Sequence, residues 1–546
     1  MVEMRPNNFF VFKIQRAIAE KKGKMIMEQR SRIDVLIVGA GPVGLTLANS
    51  LARCGVTVRI IEQGAALQRE VRAKALKPRT EEIFEDLEVL DQIHVRGQRN
   101  MLGRFYKREQ MTREVDPASE AAYQSTPDAP YRGSFWIGQN NTQAVLQESL
   151  TQKNIQVEFD SHLSEVIQQD DCVLAQMIHA GEMETIQARY LVGCDGGHSS
   201  VRHLGRFSFL GETLEGEWYL NAGVEVEGMD PHYGHYWMDA PEGLVGFSHM
   251  RYDHLWVFQA RLSSDAYDLS LETCQRIFDE RAGLPSVQIS DLHWASLWRP
   301  NIRMVEQYRH GHILLAGDAA HVHSGAGGQG MNTGIGDAYN LGWKLAAVLQ
   351  GASEDVLDSY HAERFPVAQG VLASTTIHHE KLTRPNSGNA QKFINVSLGR
   401  DADLSQLDIS YRGGPLACDL DDATDIRAGD RAPDSPFIFS SHGQRGRLFE
   451  LFRGTHFTLL TFADQPAPQL PDRYKDIVHA YTITRGGNIL VPSDHALLDI
   501  DGYAYHFYGI RRDAVILVRP DGYIGLTTGG FDVQPINDYL HRVTGR

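Results

Sequence analysis

Two patterns of apolar and polar residues divide this chain. Continuous apolar runs at residues 35–38 and 313–316 predict central strands of a parallel sheet, because such strands are covered on both faces. Between about residues 205 and 300, apolar and polar side chains alternate in short runs, which predicts antiparallel strands. β-type runs separated by helical stretches return at residues 457–462, 481–484 and 515–518. We therefore expect an α/β protein with an inserted antiparallel sheet and a small C-terminal α/β domain.

The first apolar run leads into a glycine pattern that predicts a dinucleotide site. Gly39, Gly41 and Gly44 follow it in the spacing G-x-G-x-x-G. The first glycine permits a tight turn, the second lets the backbone approach a pyrophosphate, and the third lets the helix lie close to the strand. A second strand at residues 56–61 ends at Glu62, where an acid that binds an adenosine ribose is expected. This pattern alone does not separate FAD from NAD.

A second glycine-rich segment follows the apolar run at 313–316. Gly317-Asp318 comes directly after that strand, where a carboxylate can accept hydrogen bonds from the hydroxyls of a ribityl chain. Residues 324–330, the glycine-rich loop, carry almost no side chains, so backbone N–H groups can approach a planar ring there. The loop also contains the string G-x-G-x-x-G, but it does not follow a strand directly, so we reject a second nicotinamide-binding fold.

Composition and charge narrow the range of partners. The formal net charge of −16 disfavours binding to nucleic acid or to an anionic membrane. Five scattered cysteines contain no C-x-x-C pair, which disfavours a zinc or dithiol site and indicates a reducing, cytoplasmic location; no metal site is predicted. No apolar run reaches the roughly 18 residues that span a bilayer. Small uncharged or cationic ligands are the expected partners.

Three motifs, in order along the chain, resemble those of one enzyme family. They are Val38-Gly-Ala-Gly-Pro-Val-Gly44, Leu191-Val-Gly-Cys-Asp-Gly-Gly-His-Ser-Ser-Val-Arg202 and Leu315-Ala-Gly-Asp-Ala-Ala-His321. Together they are similar to the nucleotide fingerprint, the Asp-Gly motif and the Gly-Asp motif of the class A FAD-dependent aromatic hydroxylases, the para-hydroxybenzoate hydroxylase-like flavoprotein monooxygenases. Residues 518–525 resemble the terminal signature of the phenol hydroxylase and polyketide hydroxylase branch, which has a C-terminal thioredoxin-like domain.

The resemblance implies a Rossmann-like FAD-binding domain interleaved with an antiparallel-sheet substrate domain, followed by a thioredoxin-like α/β domain with a packing or homodimerisation role. The expected boundaries are 1–31 for a disordered or extension segment, 32–205 for the first part of the FAD-binding domain, 206–300 for the substrate-binding β-sheet domain, 301–424 for the second FAD-binding part and a helical linker, and 425–546 for the thioredoxin-like domain.

The resemblance also assigns ligand-binding residues. Glu62 is expected at the adenosine ribose, Arg72 at the ADP portion, and Asp318 at the ribityl chain. The full set expected to bind the cofactor is Gly39, Gly41, Pro42, Val43, Gly44, Glu62, Gln63, Arg72, Gln139, Asp195, Gly196, Gly317, Asp318, Gly327, Gly328, Gly330, Met331 and Asn332. The candidate substrate residues are Trp218, Tyr219, Trp237, Phe247, Trp256 and Gly325, the last standing where the family usually has proline.

The implied activity is hydroxylation of a phenolic or polyketide-like aromatic substrate through a flavin hydroperoxide, with FAD as cofactor, NADPH or NADH as co-substrate, and dioxygen. No side chain is singled out as a general base. Two alternatives stay open at this point: Baeyer–Villiger oxygenation on the same scaffold, and a non-catalytic FAD-binding protein.

Overall fold

The computed structural model describes residues 32–99, 101–119, 124–214, 216–240, 242–323, 327–383, 404–486 and 494–546. The expected extension at residues 1–31 lies outside these ranges. The predicted α/β architecture is confirmed, with a mixed central sheet, an antiparallel sheet and a third sheet at the C-terminal end. Within the described ranges, no helix has both the length and the apolar character that crossing a membrane requires.

The central sheet has a parallel core. In spatial order its parallel strands are Ile313–Leu315, Glu182–Gly193, Arg32–Val38, Val58–Ile61 and Val157–Glu158. Antiparallel strands extend it at Arg309–His310, Val173–His179 and Ser161–Gln168. The register places Val38 beside both Ile61 and Gly193, so the loops that follow these strands meet at one edge of the sheet. That edge is where parallel sheets bind ligands.

Helices cover this sheet and connect it to the other parts of the chain. They are Pro42–Arg53, Pro78–Asp86, Leu90–Val95, Gln139–Gln152, Ser200–Leu204, Gly330–Leu349 and Asp355–Thr383. The first and the sixth of these pack very closely, since a Cβ on Gly342 would lie 2.6 Å from the Cβ of Ser50. This contact holds helix Gly330–Leu349 directly against helix Pro42–Arg53.

The antiparallel sheet lies beyond the ligand-binding edge. In spatial order its strands are Gln288–Trp298, Trp218–Glu227, Leu255–Leu262, Val245–Met250, Tyr233–Trp237, Leu102–Lys107 and Gln110–Val115, with one parallel pairing between the fifth and sixth. Helix Leu271–Ala282 packs on one face through Ile277 and Phe278. Two three-stranded sheets join the parts: Leu210–Thr213, Asn301–Met304 and His321–Val322, and Ala75–Leu76, Phe135–Trp136 and Gln98–Arg99.

The C-terminal sheet is mixed. In spatial order its strands are Cys418–Asp419, Ile524–Thr528, Ala514–Val518, Phe457–Phe462, Val478–Thr484, Ala496–Leu498, Pro436–Phe439 and Arg445–Arg447. Its helices are Leu448–Phe452, Tyr503–Phe507 and Val533–Thr544. The thioredoxin-like assignment of this part stays a prediction.

Candidate active site

A large cavity lies between the ligand-binding edge of the central sheet and the antiparallel sheet. Its volume is about 1520 Å³. Its walls run from Glu62 and Gly41 past Asp318 and Gly328 to Tyr219 on the antiparallel sheet. Cavities for one drug-sized ligand measure about 300–1,000 Å³, so this cavity has room for more than one such molecule.

The three glycines of the first motif occupy distinct environments. Gly39 has a φ of +103°, and a Cβ there would lie 2.5 Å from the carbonyl oxygen of Cys194. A Cβ on Gly44 would lie 2.0 Å from the carbonyl oxygen of Gly39, so the helix contacts the strand directly. A Cβ on Gly41 would meet no atom within 4 Å, and Gly41 lines the cavity. The geometry supports a turn at Gly39, backbone access at Gly41 and packing at Gly44.

Helix Pro42–Arg53 begins at the cavity wall without a side-chain cap. Its N-cap is Gly41, Pro42 occupies the first turn, and that turn carries no acidic residue. Pro42 and Val43 both line the cavity. The free N–H groups and the positive end of the helix dipole therefore suit an anion such as a pyrophosphate.

Glu62 is held at the end of the second parallel strand by two backbone donors. Its carboxylate oxygens accept hydrogen bonds of 2.9 Å each from the N–H groups of Ala40 and Gly64. Glu62 and the adjacent Gln63 both line the cavity. Because each carboxylate oxygen has two lone pairs, the oriented carboxylate can still accept hydrogen bonds from ribose hydroxyls.

Asp318 presents a carboxylate to the cavity from a tight turn. The turn Gly317–Ala319 follows strand Ile313–Leu315, and the φ of Gly317 is +62°. A Cβ on Gly317 would lie 2.8 Å from Cγ2 of Val43, so Gly317 packs against the first helix. Asp318 is exposed and, among the described residues, its carboxylate has no hydrogen-bond partner. It is therefore available to a ligand hydroxyl.

The end of the glycine-rich loop borders the same cavity through Gly327, Gly328, Gly330 and Met331. Asn332, expected at the cofactor, does not line the cavity and is 1% exposed. Its Oδ1 accepts hydrogen bonds of 2.8 Å from the N–H of Lys77 and the hydroxyl of Thr80, and its Nδ2 donates to Gly328 and Ala75 carbonyls. The side chain of Asn332 is thus engaged by the protein, and its contact with the cofactor stays a prediction. Asn332 holds the loop in place.

The Asp-Gly motif also has a local structural role. Asp195 accepts hydrogen bonds from the hydroxyl of Ser199 at 2.5 Å and the N–H of Val201 at 3.1 Å, at the start of helix Ser200–Leu204. Burial raises the pKa of Asp195, and these hydrogen bonds oppose that rise. Asp195 and Gly196 still line the cavity.

Arg72 and Gln139 both line the cavity but differ in how firmly they are held. Arg72 is exposed and pairs with Glu70 at 2.8 Å. Gln139 donates a hydrogen bond of 3.2 Å to the side chain of Gln143, one turn further along its helix. A ligand can therefore recruit Arg72 by displacing an exposed ion pair, which costs little.

The antiparallel sheet turns a different set of aromatic side chains to the cavity than the sequence predicts. Tyr219 lines the cavity, but Trp237, Phe247 and Trp256 are 1%, 0% and 4% exposed and pack in the core on the other face. Successive strand residues face opposite sides, and these three side chains face the core, which disfavours the expected contact with substrate; that contact stays a prediction. Trp218 also packs against that core. Gly325 lies outside the described residues.

The residues that line the cavity from this sheet, such as Asn221, Tyr236 and Gln259, are mostly polar, and the sequence analysis missed them. Ser248 lies behind this wall and is buried. Ser248 Oγ and Gln259 Oε1 accept hydrogen bonds from the ammonium of Lys74, the first at 2.9 Å. The hydroxyl of Tyr236 lies 3.0 Å from Ser248 Oγ. A single lysine in Val-Arg-Ala-Lys gives no signal in a sequence, because lysines are usually exposed.

The donor set fits FAD. Four features border the cavity: an uncapped helix start suited to phosphates, an oriented carboxylate suited to a ribose, an unpaired carboxylate among the described residues at the sheet edge, and a loop that presents its backbone. Among the described residues, no cluster of three or more histidine, cysteine or carboxylate side chains is suited to holding a metal ion.

Comparison with known proteins agrees with this site. The family model for an FAD binding domain matches residues 32–375, and that for the C-terminal part of an aromatic-ring hydroxylase matches residues 425–546. A flavin-dependent monooxygenase of Mycobacteroides abscessus is 38% identical over 518 residues, covering 93% of this chain and 99% of the relative. The 6-methylpretetramide 4-monooxygenase of Streptomyces rimosus is 31% identical, covering 90% of each chain. Aklavinone-11 hydroxylase, solved with FAD and aklavinone, has a TM-score of 0.77 at 26% identity, covering 94% of this chain and 99% of that one.

Proposed function

This chain belongs to the FAD-dependent aromatic hydroxylases, a group of flavoprotein monooxygenases, and we propose that it uses a nicotinamide donor and dioxygen to hydroxylate a phenolic or polyketide-like aromatic ring. Two relatives support the substrate class, since their names specify a pretetramide and aklavinone. The observation that carries the proposal is the continuity of the cavity from Glu62 to Tyr219. One end suits a dinucleotide and the other accommodates a separate organic molecule.

The residues that would hold FAD are distributed along the ligand-binding edge. The start of helix Pro42–Arg53 would bind the pyrophosphate, Glu62 the adenosine ribose, and Asp318 the ribityl chain. Gly327 and Gly328 would border the ring system. When bound, FAD supplies hydride acceptance from the nicotinamide donor and activation of dioxygen.

The chain itself orients the substrate and limits access of water. The polar side chains of Asn221, Tyr236 and Gln259 on the antiparallel sheet provide hydrogen-bonding groups within a wall that also contains Trp136 and Trp298. Such a site fixes the target ring close to the reacting centre, which favours transfer of oxygen to the ring over competing reactions with water.

The test is a substrate panel with the FAD-loaded protein. Oxidation of NADPH and NADH and uptake of dioxygen are followed with single-ring phenols and with polycyclic hydroxyquinones. We expect both classes of compound to stimulate uptake of dioxygen. With isotopically labelled dioxygen, one labelled oxygen atom should appear on an aromatic carbon of the product. A product with oxygen inserted next to a ketone would show that the reaction is a Baeyer–Villiger oxygenation and not a hydroxylation. FAD binding without stimulated uptake by any compound would overturn the proposal.

A further inference from the structure

Lys74 places an ammonium group in the cavity wall without a carboxylate partner. Its Nζ donates hydrogen bonds to Ser248 Oγ, at 2.9 Å, and to Gln259 Oε1. Among the described residues it forms no ion pair with any acidic side chain. The ring of Trp136 lies 5.9 Å from the ammonium and provides a weak cation–π contact. The cation is therefore held by neutral groups only.

The side chains around Lys74 form a connected polar network. Tyr236 reaches Ser248 at 3.0 Å, and the amide groups of Gln259 and Asn221 lie 3.2 Å apart. This network belongs to the antiparallel sheet, whereas Lys74 comes from the segment just before strand Ala75–Leu76. Lys74 thus lies where the substrate end of the cavity meets the part that carries the cofactor residues.

The other charged and titratable groups do not neutralise this cation. Those that line the cavity on the neighbouring elements are Arg72 and Lys77 on its own segment, Tyr219, Tyr236 and Arg261 on the antiparallel sheet, and Lys107 at its edge. The carboxylates that line the cavity are Glu62, Asp195, Asp239, Glu242 and Asp318. Burial is the cause that lowers the pKa of the Lys74 ammonium to about 7, with no carboxylate contributing.

A half-buried cation without a counterion in a cavity wall gains from an anionic ligand. Taking a charged group out of water is costly unless it is paired and hydrogen-bonded, and burial shifts the balance of lysine towards the neutral amine. An anion at Nζ would restore the charged form. Because Nζ donates two hydrogen bonds to the residues that the structure describes, one of its three N–H groups remains for a ligand.

We propose that Lys74 binds an ionised oxygen of the substrate, so that the site selects aromatic compounds carrying an acidic hydroxyl as phenolate or enolate. This inference rests on the proposed function. An oxygen anion on the ring increases electron density at the ring carbons that accept oxygen, so the contact serves both recognition and reactivity. Lys74 would also fix which edge of the substrate lies at the sheet, since Ser248 and Gln259 hold its ammonium in one place.

The proposal specifies a pH dependence. In the free protein the ammonium loses its proton around pH 7, where burial places the pKa of Lys74. An anion binds to the protonated form, so its affinity is highest below this pH. Above it, binding requires uptake of one proton, so affinity falls by about tenfold per pH unit until the pH exceeds the pKa of Lys74 in the complex. A neutral analogue of the same shape shows no such decline.

Equilibrium dialysis of the FAD-loaded protein tests this with 2,4-dinitrophenolate, which is ionised throughout the neutral range, and its methyl ether 2,4-dinitroanisole, which has no ionisable hydroxyl. In the wild type we expect the phenolate to bind at least about tenfold more tightly than the ether at pH 6.5 and to lose this advantage above pH 8. Lys74→Met removes the advantage at every pH. Lys74→Arg, a permanent cation, keeps the advantage but loses the alkaline decline.

The controls separate this inference from the proposed function. Lys475→Met, at an exposed lysine in the C-terminal part, leaves both affinities unchanged. FAD content and nicotinamide oxidation without substrate are measured for every variant, since they report on the proposed function and on folding. Equal binding of phenolate and ether by the wild type, failure of the phenolate to bind, or a phenolate preference retained in FAD-loaded Lys74→Met would each overturn the proposal.

Discussion

Arg364 donates a hydrogen bond of 2.8 Å from Nε to Oδ1 of Asp337, and both side chains are buried. The other carboxylate oxygen of Asp337 accepts hydrogen bonds from His321 at 2.7 Å and from the N–H of Gly317 at 3.2 Å. Arg364 also donates to the carbonyl of Thr333 near the start of helix Gly330–Leu349. The pair therefore joins the Gly-Asp turn to the helix after the glycine-rich loop.

Asp337→Asn is expected to lower the free energy of unfolding by about 3–5 kcal/mol, because it leaves the buried guanidinium of Arg364 without its counterion. It should also weaken FAD binding, since the turn that presents Asp318 loses a support. Urea unfolding and flavin content measure the two effects. The matched control is Asp358→Asn, whose pair with Arg309 is exposed on the aspartate side and worth less than about 1 kcal/mol. Similar losses in both variants would contradict this role.

The same pair predicts loss of stability in acid. Burial opposes ionisation of Asp337, but Arg364 and His321 outweigh it and hold its pKa below the ordinary value of 3.8. A carboxyl whose pKa is lower in the folded state contributes fully above the unfolded pKa, and the contribution is lost as the pH falls through the folded pKa. The wild type should therefore lose stability below about pH 4 more steeply than Asp337→Asn. Unfolding curves at several acidic pH values check this, and parallel pH profiles would contradict it.

Asp318→Ala is expected to release FAD while leaving the fold intact. The carboxylate is exposed to the cavity and has no partner among the described residues, so its removal costs the protein little. A hydrogen bond from a ligand hydroxyl to a charged group contributes about 1.5–3 kcal/mol, so the dissociation constant for FAD should rise by about tenfold or more. Flavin fluorescence titration measures it. An unchanged flavin-to-protein ratio after gel filtration would exclude Asp318 from the binding site.

The dinucleotide end of the site could be predicted from the sequence because its residues follow strand ends. Gly39 and Glu62 come directly after parallel strands and Asp318 is the third residue after another, and parallel register brings such positions together. The sequence does not show how the side chain of Asn332 is held. Its side-chain oxygen is bound by Lys77 and Thr80, more than 250 residues away in the chain.

The substrate end was less predictable because the sequence shows aromatic residues but not which face of a strand they occupy. Tyr236 and Trp237 are adjacent, yet Tyr236 lines the cavity and Trp237 lies in the core. The choice depends on the register between strands and on helix Leu271–Ala282, which covers one face. Lys74 was missed because its burial depends on Ser248 and Gln259, which belong to distant strands.

Tyr219→Ala and Trp237→Phe separate the two faces of this sheet. Tyr219 lines the cavity, so its truncation should raise the KM for an aromatic substrate several-fold with FAD content unchanged. Trp237 donates a hydrogen bond of 2.8 Å to the carbonyl of Arg108 from within the core. Its replacement should lower the free energy of unfolding by about 1–3 kcal/mol and leave KM unaltered. The opposite assignment of effects would place Trp237, and not Tyr219, at the substrate.

A buried ion network joins the C-terminal part to the FAD-binding part. Arg519 donates hydrogen bonds of 2.7 and 2.9 Å to the carboxylate of Glu363, which also accepts one of 2.7 Å from Lys344. Arg519 also pairs with Asp521 at 2.5 Å. Burial opposes the charge on Glu363, but Arg519 and Lys344 outweigh it and lower its pKa to about 2.

Arg519→Met should therefore destabilise the whole chain rather than the C-terminal part alone. It removes the guanidinium that pairs with the buried carboxylates of Glu363 and Asp521, which should lower the free energy of unfolding by about 3–5 kcal/mol. We expect FAD release and loss of C-terminal structure in one transition, at a lower urea concentration than in the wild type. Arg511→Met removes an exposed pair with Asp425 and serves as the control. An Arg519→Met variant that unfolds in two separate steps, with FAD retained through the first, would show that the two parts are stabilised independently.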